Sequence, residues 1–82
     1  MKSPRSRASA AIAIDGPVLR EARKQRGLSV LQLATRVGVS KAYISKLELG
    51  YSPRCSVTVH ASLVQILRPE RADAFRTDRA AA

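Results

Sequence analysis

The chain has 82 residues, which suffices for one small domain with tails but not for two domains. Lys and Arg number 15 against six Asp and Glu, and this net charge of +9 favours a polyanionic partner, most often nucleic acid. The longest apolar run, residues 10–14, is far shorter than the ~20 residues of a membrane span. One Cys and one His supply neither an internal disulfide nor a metal cluster. We expect an intracellular, soluble protein with no membrane association, metal or other cofactor.

The residue types present support enzyme chemistry poorly. Cys55 and His60 are a candidate nucleophile–base pair, but no neighbouring residue is suited to orient the imidazole or to form an oxyanion site. A half-buried core position accounts for His60. We expect no catalytic residue and no enzymatic activity.

The predicted elements start with a flexible basic arm at residues 1–14, which carries Arg5 and Arg7 and whose residues 12–14 alternate as a short strand would. Asp15 is suited to cap a first helix, which runs from 17 to 26 because Pro at the first helical position costs no hydrogen bond.

Two further helices each follow a Ser cap and stop at a Gly. They are residues 30–37, between Ser29 and Gly38, and residues 41–49, between Ser40 and Gly50. The step between them is too short to let them run antiparallel. Residues 51–55 are predicted as a loop, and Ser56 caps a fourth helix that ends near Leu67. Residues 15–68 therefore form the domain, and residues 69–82 a fifth helix, to about 78, with a frayed tail.

The second and third helices carry small or apolar residues where two steeply crossing helices need them. Ala34 permits close contact, and Gly38 suits a turn with positive φ. The shared interior is predicted to be Leu33, Val37, Val39, Ile44 and Leu47. With Ser29, Ser40 and residues 48–50, this pattern resembles the helix-turn-helix of phage repressors and Cro-type regulators, the XRE family. The resemblance covers roughly residues 17–67 and implies an all-α, lambda-repressor-like fold of four to five helices.

The resemblance implies that the third helix enters the major groove of duplex DNA with its N-terminus first. It places Lys41, Ala42, Ser45 and Lys46 at the base-reading positions. At ~100° per residue these side chains share one exposed arc, although solvated lysines on a surface helix would look the same. Lys donates to guanine, and the methyl group of Ala suits the thymine methyl. Because the arc carries lysines and no Gln or Asn, which would pair with adenine, we expect half-sites that contain guanine.

Contacts to the DNA backbone are predicted from several elements. Ser29 and the amides that follow it form an anion site. The further candidates are Tyr43, the loop after the third helix, Arg54, Arg5 and Arg7, with an exposed loop arginine as the alternative reading of Arg54. By resemblance, Arg23 and Glu48 form a structural pair between the first and third helices.

We therefore expect sequence-specific binding of double-stranded DNA in the cytoplasm, at the nucleoid, by a phage-type repressor or Cro-like transcriptional regulator that occupies its operator. The alternatives are an antitoxin or a plasmid or excision regulator that binds its own operator, and a protein-interaction module. Val30, Leu31 and Leu49 are expected to be exposed and to contact thymine methyl groups, sugar faces or, in such a module, the partner protein. We also expect a homodimer on a two-fold-symmetric site. The candidate surfaces are residues 12–14 as an edge strand, the end of the fourth helix, and Ala72 with Phe75 in the last helix. We favour the two C-terminal surfaces, because a monomer has little core near Phe75. The alternative is that Phe75 folds back onto the fourth helix of its own chain.

Overall fold

Four helices and a two-stranded sheet make up the fold of residues 11–77, the part of the chain that the computed structural model describes. In chain order the elements are β1 (Ala11–Ala13), α1 (Gly16–Gln25), α2 (Val30–Val37), α3 (Lys41–Leu49), β2 (Arg54–Ser56) and α4 (Val57–Leu67). The four predicted helices through residue 67 are present, and α2 and α3 have the predicted bounds. Within residues 11–77, every helix is too short or too polar to cross a bilayer.

A short polar side chain starts each helix. The Oγ atoms of Ser29, Ser40 and Ser56 each accept a hydrogen bond from the amide three residues on, at 3.0, 3.0 and 3.1 Å. Such caps satisfy amide donors that the first turn leaves without a helical acceptor. Gly38 and Gly50 end α2 and α3 with φ of 89° and 87°, a conformation that costs glycine little.

The core is aliphatic apart from one ring. Its fully buried large side chains are Leu19, Leu33, Ile44, Leu47, Leu63, Leu67 and Phe75. Ala34 is also buried, which agrees with close packing of α2 on α3. Gly16, at the start of α1, lies so close to the end of α3 that an added Cβ would overlap the Glu48 carbonyl oxygen. These contacts fix the position of α3 relative to α1 and α2.

The sheet corrects the all-α prediction. β1 pairs antiparallel with β2, and Ile12 lies opposite Cys55 with both side chains buried. The sequence gives this pairing little signal, because each strand has three residues and the two are far apart in the chain. Ile14 is buried as well, so the folded unit includes residues 11–14, which we had assigned to the arm. Arg5 and Arg7 lie outside the described residues.

The predicted fifth helix is wrong. Residues 72–75 form turns, in which Ala74 and Arg76 donate to the carbonyls three residues before them at 3.1 Å. The chain then returns to β1, because the Asp15 amide donates to the Phe75 carbonyl at 2.7 Å and the Thr77 amide to the Ala13 carbonyl at 3.1 Å. This return places Phe75 in the core of its own chain. Phe75 is thus no exposed surface for a dimer, contrary to the prediction.

Candidate nucleic-acid interface

One face of α3 is exposed and gathers the side chains that were predicted to read bases. Lys41, Ala42 and Lys46 are exposed and Ser45 is half-buried. Together with Leu49 and Tyr51 they line an open groove of about 470 Å³. The spacing along α3 explains this, because residues four apart lie on the same side of a helix. The structure thus brings the four predicted reading residues onto a single surface.

The opposite face of α3 is anchored by packing and by an ion pair. Ile44 and Leu47 are fully buried. Arg23 of α1 donates from Nε to Glu48 Oε2 at 2.7 Å and from Nη2 to Oε1 at 3.1 Å, and its Nη1 donates to the Leu28 carbonyl at 2.8 Å. The hydrogen bonds to Glu48 raise the pKa of Arg23 above its ordinary value, although burial acts in the opposite direction. The predicted structural pair is therefore present and joins α1 to the last turn of α3.

The start of α2 is a capping box. The Ser29 amide donates to the Gln32 side chain at 2.8 Å, and the Gln32 amide donates to Ser29 Oγ at 3.0 Å. The helix itself provides no acceptor for the amides of Val30 and Leu31, which follow the cap. Leu31 is exposed as predicted, whereas Val30 is half-buried and packs against the core. Val30 therefore does not offer the exposed apolar contact that the sequence suggested.

Two predicted backbone contacts lie outside the groove on α3. Tyr43 is half-buried against the core, and burial together with nearby Cys55 raises the pKa of its hydroxyl. Arg54 is exposed, but it begins β2, opposite Ala13 of β1, and does not lie in a loop. The loop assignment was wrong because the pairing that makes this segment a strand is non-local.

The candidate nucleophile is buried. Cys55 lies in the core beneath the sheet, and burial raises the pKa of its thiol to about 11. It is therefore a neutral thiol at pH 7, whereas a nucleophilic cysteine needs a lowered pKa. His60 is half-buried, as predicted. In residues 11–77 no three His, Cys, Asp or Glu side chains are grouped so that they could hold a metal ion.

Sequence reasoning missed one member of the groove. Tyr51 belongs to the loop that was predicted to contact the DNA backbone, yet it is 78% exposed and lines the groove beside Leu49, which is 65% exposed. The turn after α3 places it there, because the Ser52 amide donates back to the Lys46 carbonyl at 3.1 Å. The available signal was an aromatic residue directly after the Gly that ends the exposed helix.

Two capped helices that pack across the turn at Gly38, with the second exposed along one face, define a helix-turn-helix domain. The helix-turn-helix family model matches residues 19–54, from α1 to the start of β2. Over 60 residues the chain is 38% identical to the HTH-type transcriptional regulator SlrR of Bacillus subtilis (strain 168), an alignment that covers 73% of this chain and 40% of SlrR. Residues 19–54 thus form a helix-turn-helix domain.

Solved structures show the same fold. A chain of the SinR–SinI protein complex superposes with a TM-score of 0.68 at 25% identity, covering 78% of this chain and 60% of that one. A structure of SinR in complex with DNA, which describes SinR as the master regulator for biofilm formation, gives a TM-score of 0.67 at 25% identity. The match covers 73% of this chain and 97% of the SinR chain. The N-terminal DNA-binding domain of SinR from Bacillus subtilis gives a TM-score of 0.66 at 23% identity. The match covers 79% of this chain and 94% of that domain. The chain therefore spans less than half of SlrR but nearly all of the shorter SinR chains.

Proposed function

We propose that this protein binds duplex DNA in a sequence-specific manner and regulates transcription by occupying an operator. The observation that carries the proposal is the exposed face of α3, where Lys41, Ala42, Ser45 and Lys46 surround one groove. The similarity to SlrR, a transcriptional regulator, and to SinR solved with DNA supports it. The surplus of basic residues provides the attraction to phosphate that such binding needs.

In this proposal α3 lies in the major groove and reads base edges. A nine-residue helix is roughly 13 Å long, which is comparable to the ~12 Å width of that groove. Lys41 and Lys46 donate to guanine O6 or N7, Ala42 contacts a thymine methyl, and Ser45 pairs with a donor or an acceptor. The buried pair of Arg23 and Glu48 holds this helix and does not read bases.

Backbone contacts position the domain on the duplex. The amides of Val30 and Leu31, beside the Ser29 cap, bind one phosphate at the positive end of α2. Tyr43, Arg54, Arg5 and Arg7 supply further phosphate contacts. Such contacts raise affinity for every sequence and make it depend on salt.

Within this class we favour a phage-type repressor or Cro-like protein, acting as two copies on a two-fold-symmetric operator at the nucleoid. An antitoxin or a plasmid regulator would use the same interface on its own operator. A protein-interaction module is the second candidate, because Leu31 and Leu49 are exposed apolar side chains and SinR was solved with SinI. We propose no enzymatic role, since Cys55 is a buried, neutral thiol.

The test is to select bound sequences from a random duplex library and to measure affinity for the best site and for a scrambled duplex. Lys46→Ala should weaken the best site by ~1–3 kcal/mol and the scrambled duplex much less. Lys24→Ala is the matched control, because it removes the same charge from an exposed position of α1 outside the groove. Equal weakening of both duplexes would make Lys46 a phosphate contact. Absence of any binding at low salt would refute DNA binding and favour the interaction module.

A further inference from the structure

The groove on α3 is lined by apolar surface, although two lysines border it. The long stems of Lys41 and Lys46 supply methylene groups to its walls, while their charged ends extend into solvent. Leu49 and Tyr51 complete the lining, and both are more than half exposed. Leu49 and Tyr51 therefore offer a small apolar contact area on the same face as the two lysines.

We propose that this groove receives the C5 methyl group of a pyrimidine, with Leu49 and Tyr51 as the side chains that determine specificity for it. The inference rests on the proposed DNA binding and adds an apolar contact to the polar reading by the lysines. The charges select the occupant, because two ammonium groups at the rim attract a polyanion. The C5 methyl is the apolar group that a base pair presents in the major groove. Thymine and 5-methylcytosine both carry it.

The position of Leu49 limits where this methyl lies in the binding site. Leu49 follows Lys41 by eight residues, so the two lie roughly 12 Å apart along the axis of α3. At ~3.4 Å per base pair, the methyl falls within about four base-pair steps of the base that Lys41 contacts. The hydrogen bond from the Ser52 amide to the Lys46 carbonyl fixes the turn that carries Tyr51, and the Tyr51 side chain lines the groove together with Leu49.

The experiment uses the best duplex from the random library and replaces each thymine in turn by uracil, which lacks only the methyl group. For the wild-type protein we expect one position in each half-site, distinct from the thymine that Ala42 contacts, at which uracil weakens binding about fourfold, the effect of one buried carbon group. Three variants, Leu49→Ala, Leu49→Asn and Tyr51→Ala, should each bring the ratio of the affinities for the thymine and uracil duplexes close to one. Tyr51→Phe should keep the discrimination, because the ring is retained. Val57→Ala is the control, since it truncates an exposed apolar side chain outside the groove.

Cytosine and 5-methylcytosine at the same position distinguish the two sources of the methyl. Tighter binding of 5-methylcytosine would show that the groove accepts either base, and equal binding would restrict it to thymine. A protein that prefers its selected site but distinguishes thymine from uracil at no position other than the one that Ala42 contacts would overturn the inference and leave the proposed DNA binding standing. Discrimination at the second position that persists in both Leu49→Ala and Tyr51→Ala would also overturn it. A chain that prefers no duplex would remove the proposed function and the methyl site together. Unchanged melting temperatures of the variants, expected for exposed positions, show that the fold is intact.

Discussion

Glu48→Ala tests whether the ion pair with Arg23 holds α3 in place. In the structure the pair has two hydrogen bonds, and the side chains of Arg23 and Glu48 are only 11% and 4% exposed. Truncation leaves the guanidinium largely out of water, with the Leu28 carbonyl as its remaining hydrogen-bond acceptor. The uncompensated charge, rather than the lost contact alone, causes the destabilisation.

The expected loss is large for a domain of this size. Removing one partner of a buried ion pair costs about 3–5 kcal/mol, and we expect about 3 kcal/mol here because water reaches part of Arg23. At ~0.05–0.15 kcal/mol per residue, a chain of 82 residues has a total stability of roughly 4–12 kcal/mol. Glu48→Ala should therefore remove between a quarter and most of it.

Urea denaturation followed by circular dichroism measures the effect, with Arg23→Met and the double variant Arg23→Met/Glu48→Leu beside it. Each single variant leaves one buried charge and should be strongly destabilised. The double variant leaves none, so its loss should be much smaller than the sum of the two single losses. If Glu48→Ala unfolded within about 0.5 kcal/mol of the wild type, the pair would behave as an exposed one and the reasoning would be refuted.

Three further predictions concern the core and the two ends of the fold. Gly16→Ala should lower stability by ~1–3 kcal/mol in thermal denaturation, because its Cβ would overlap the Glu48 carbonyl oxygen, which belongs to the backbone. Gly50→Ala, with open space around it but φ of 87°, should cost about 1–2 kcal/mol from backbone strain alone. A loss below about 0.5 kcal/mol for Gly16→Ala would contradict the close contact. Phe75→Ala should lower the free energy of unfolding by about 3–5 kcal/mol and leave the mass measured by sedimentation unchanged. If the variant instead kept its stability and lost a dimer that the wild type forms, the ring would lie in a dimer interface. The buried Cys55 thiol should make the protein less stable at alkaline pH. Its pKa rises from 9.0 to about 11 on folding, so the unfolded chain releases the proton at a lower pH than the folded chain. Stability should fall by up to about 2 kcal/mol between pH 9 and 11, and Cys55→Ala should lack this part of the fall.

The helices could be predicted from the sequence because the signals that start and stop them are local. Ser29 and Gly38 lie at the ends of α2, and Ser40 and Gly50 at the ends of α3, so the bounds follow from side chains within one turn. The sheet could not be predicted in this way. Alternation at residues 12–14 indicates a short strand, but Ile12 and its partner Cys55 are far apart in the chain, so no local pattern indicates their pairing.

The exposed face of α3 could be predicted for a similar reason. Helical periodicity alone places Lys41, Ser45 and Leu49 on one side of α3, whatever the rest of the chain does. Tyr51 follows the helix, so its direction depends on the turn at Gly50 and on the hydrogen bond from Ser52. Phe75 was misjudged because its burial depends on the return of residues 75–77 to β1, a non-local contact that no short pattern indicates.

The same return changes which surfaces are left for a second copy. One edge of β1 pairs with β2, and the other is covered at its C-terminal end by the Thr77 amide, which donates to Ala13, and by the bridge between Ile14 and Arg76. The end of α4 is occupied in part, because Arg26 donates to the Leu67 carbonyl at 2.8 Å and to the Arg68 carbonyl at 3.1 Å. Of the predicted dimer surfaces, the strand edge and Phe75 are therefore used within one chain. Two copies on a two-fold-symmetric operator would meet around the end of α4 or be held by the duplex alone, which spaces half-sites one helical turn apart without requiring the proteins to touch.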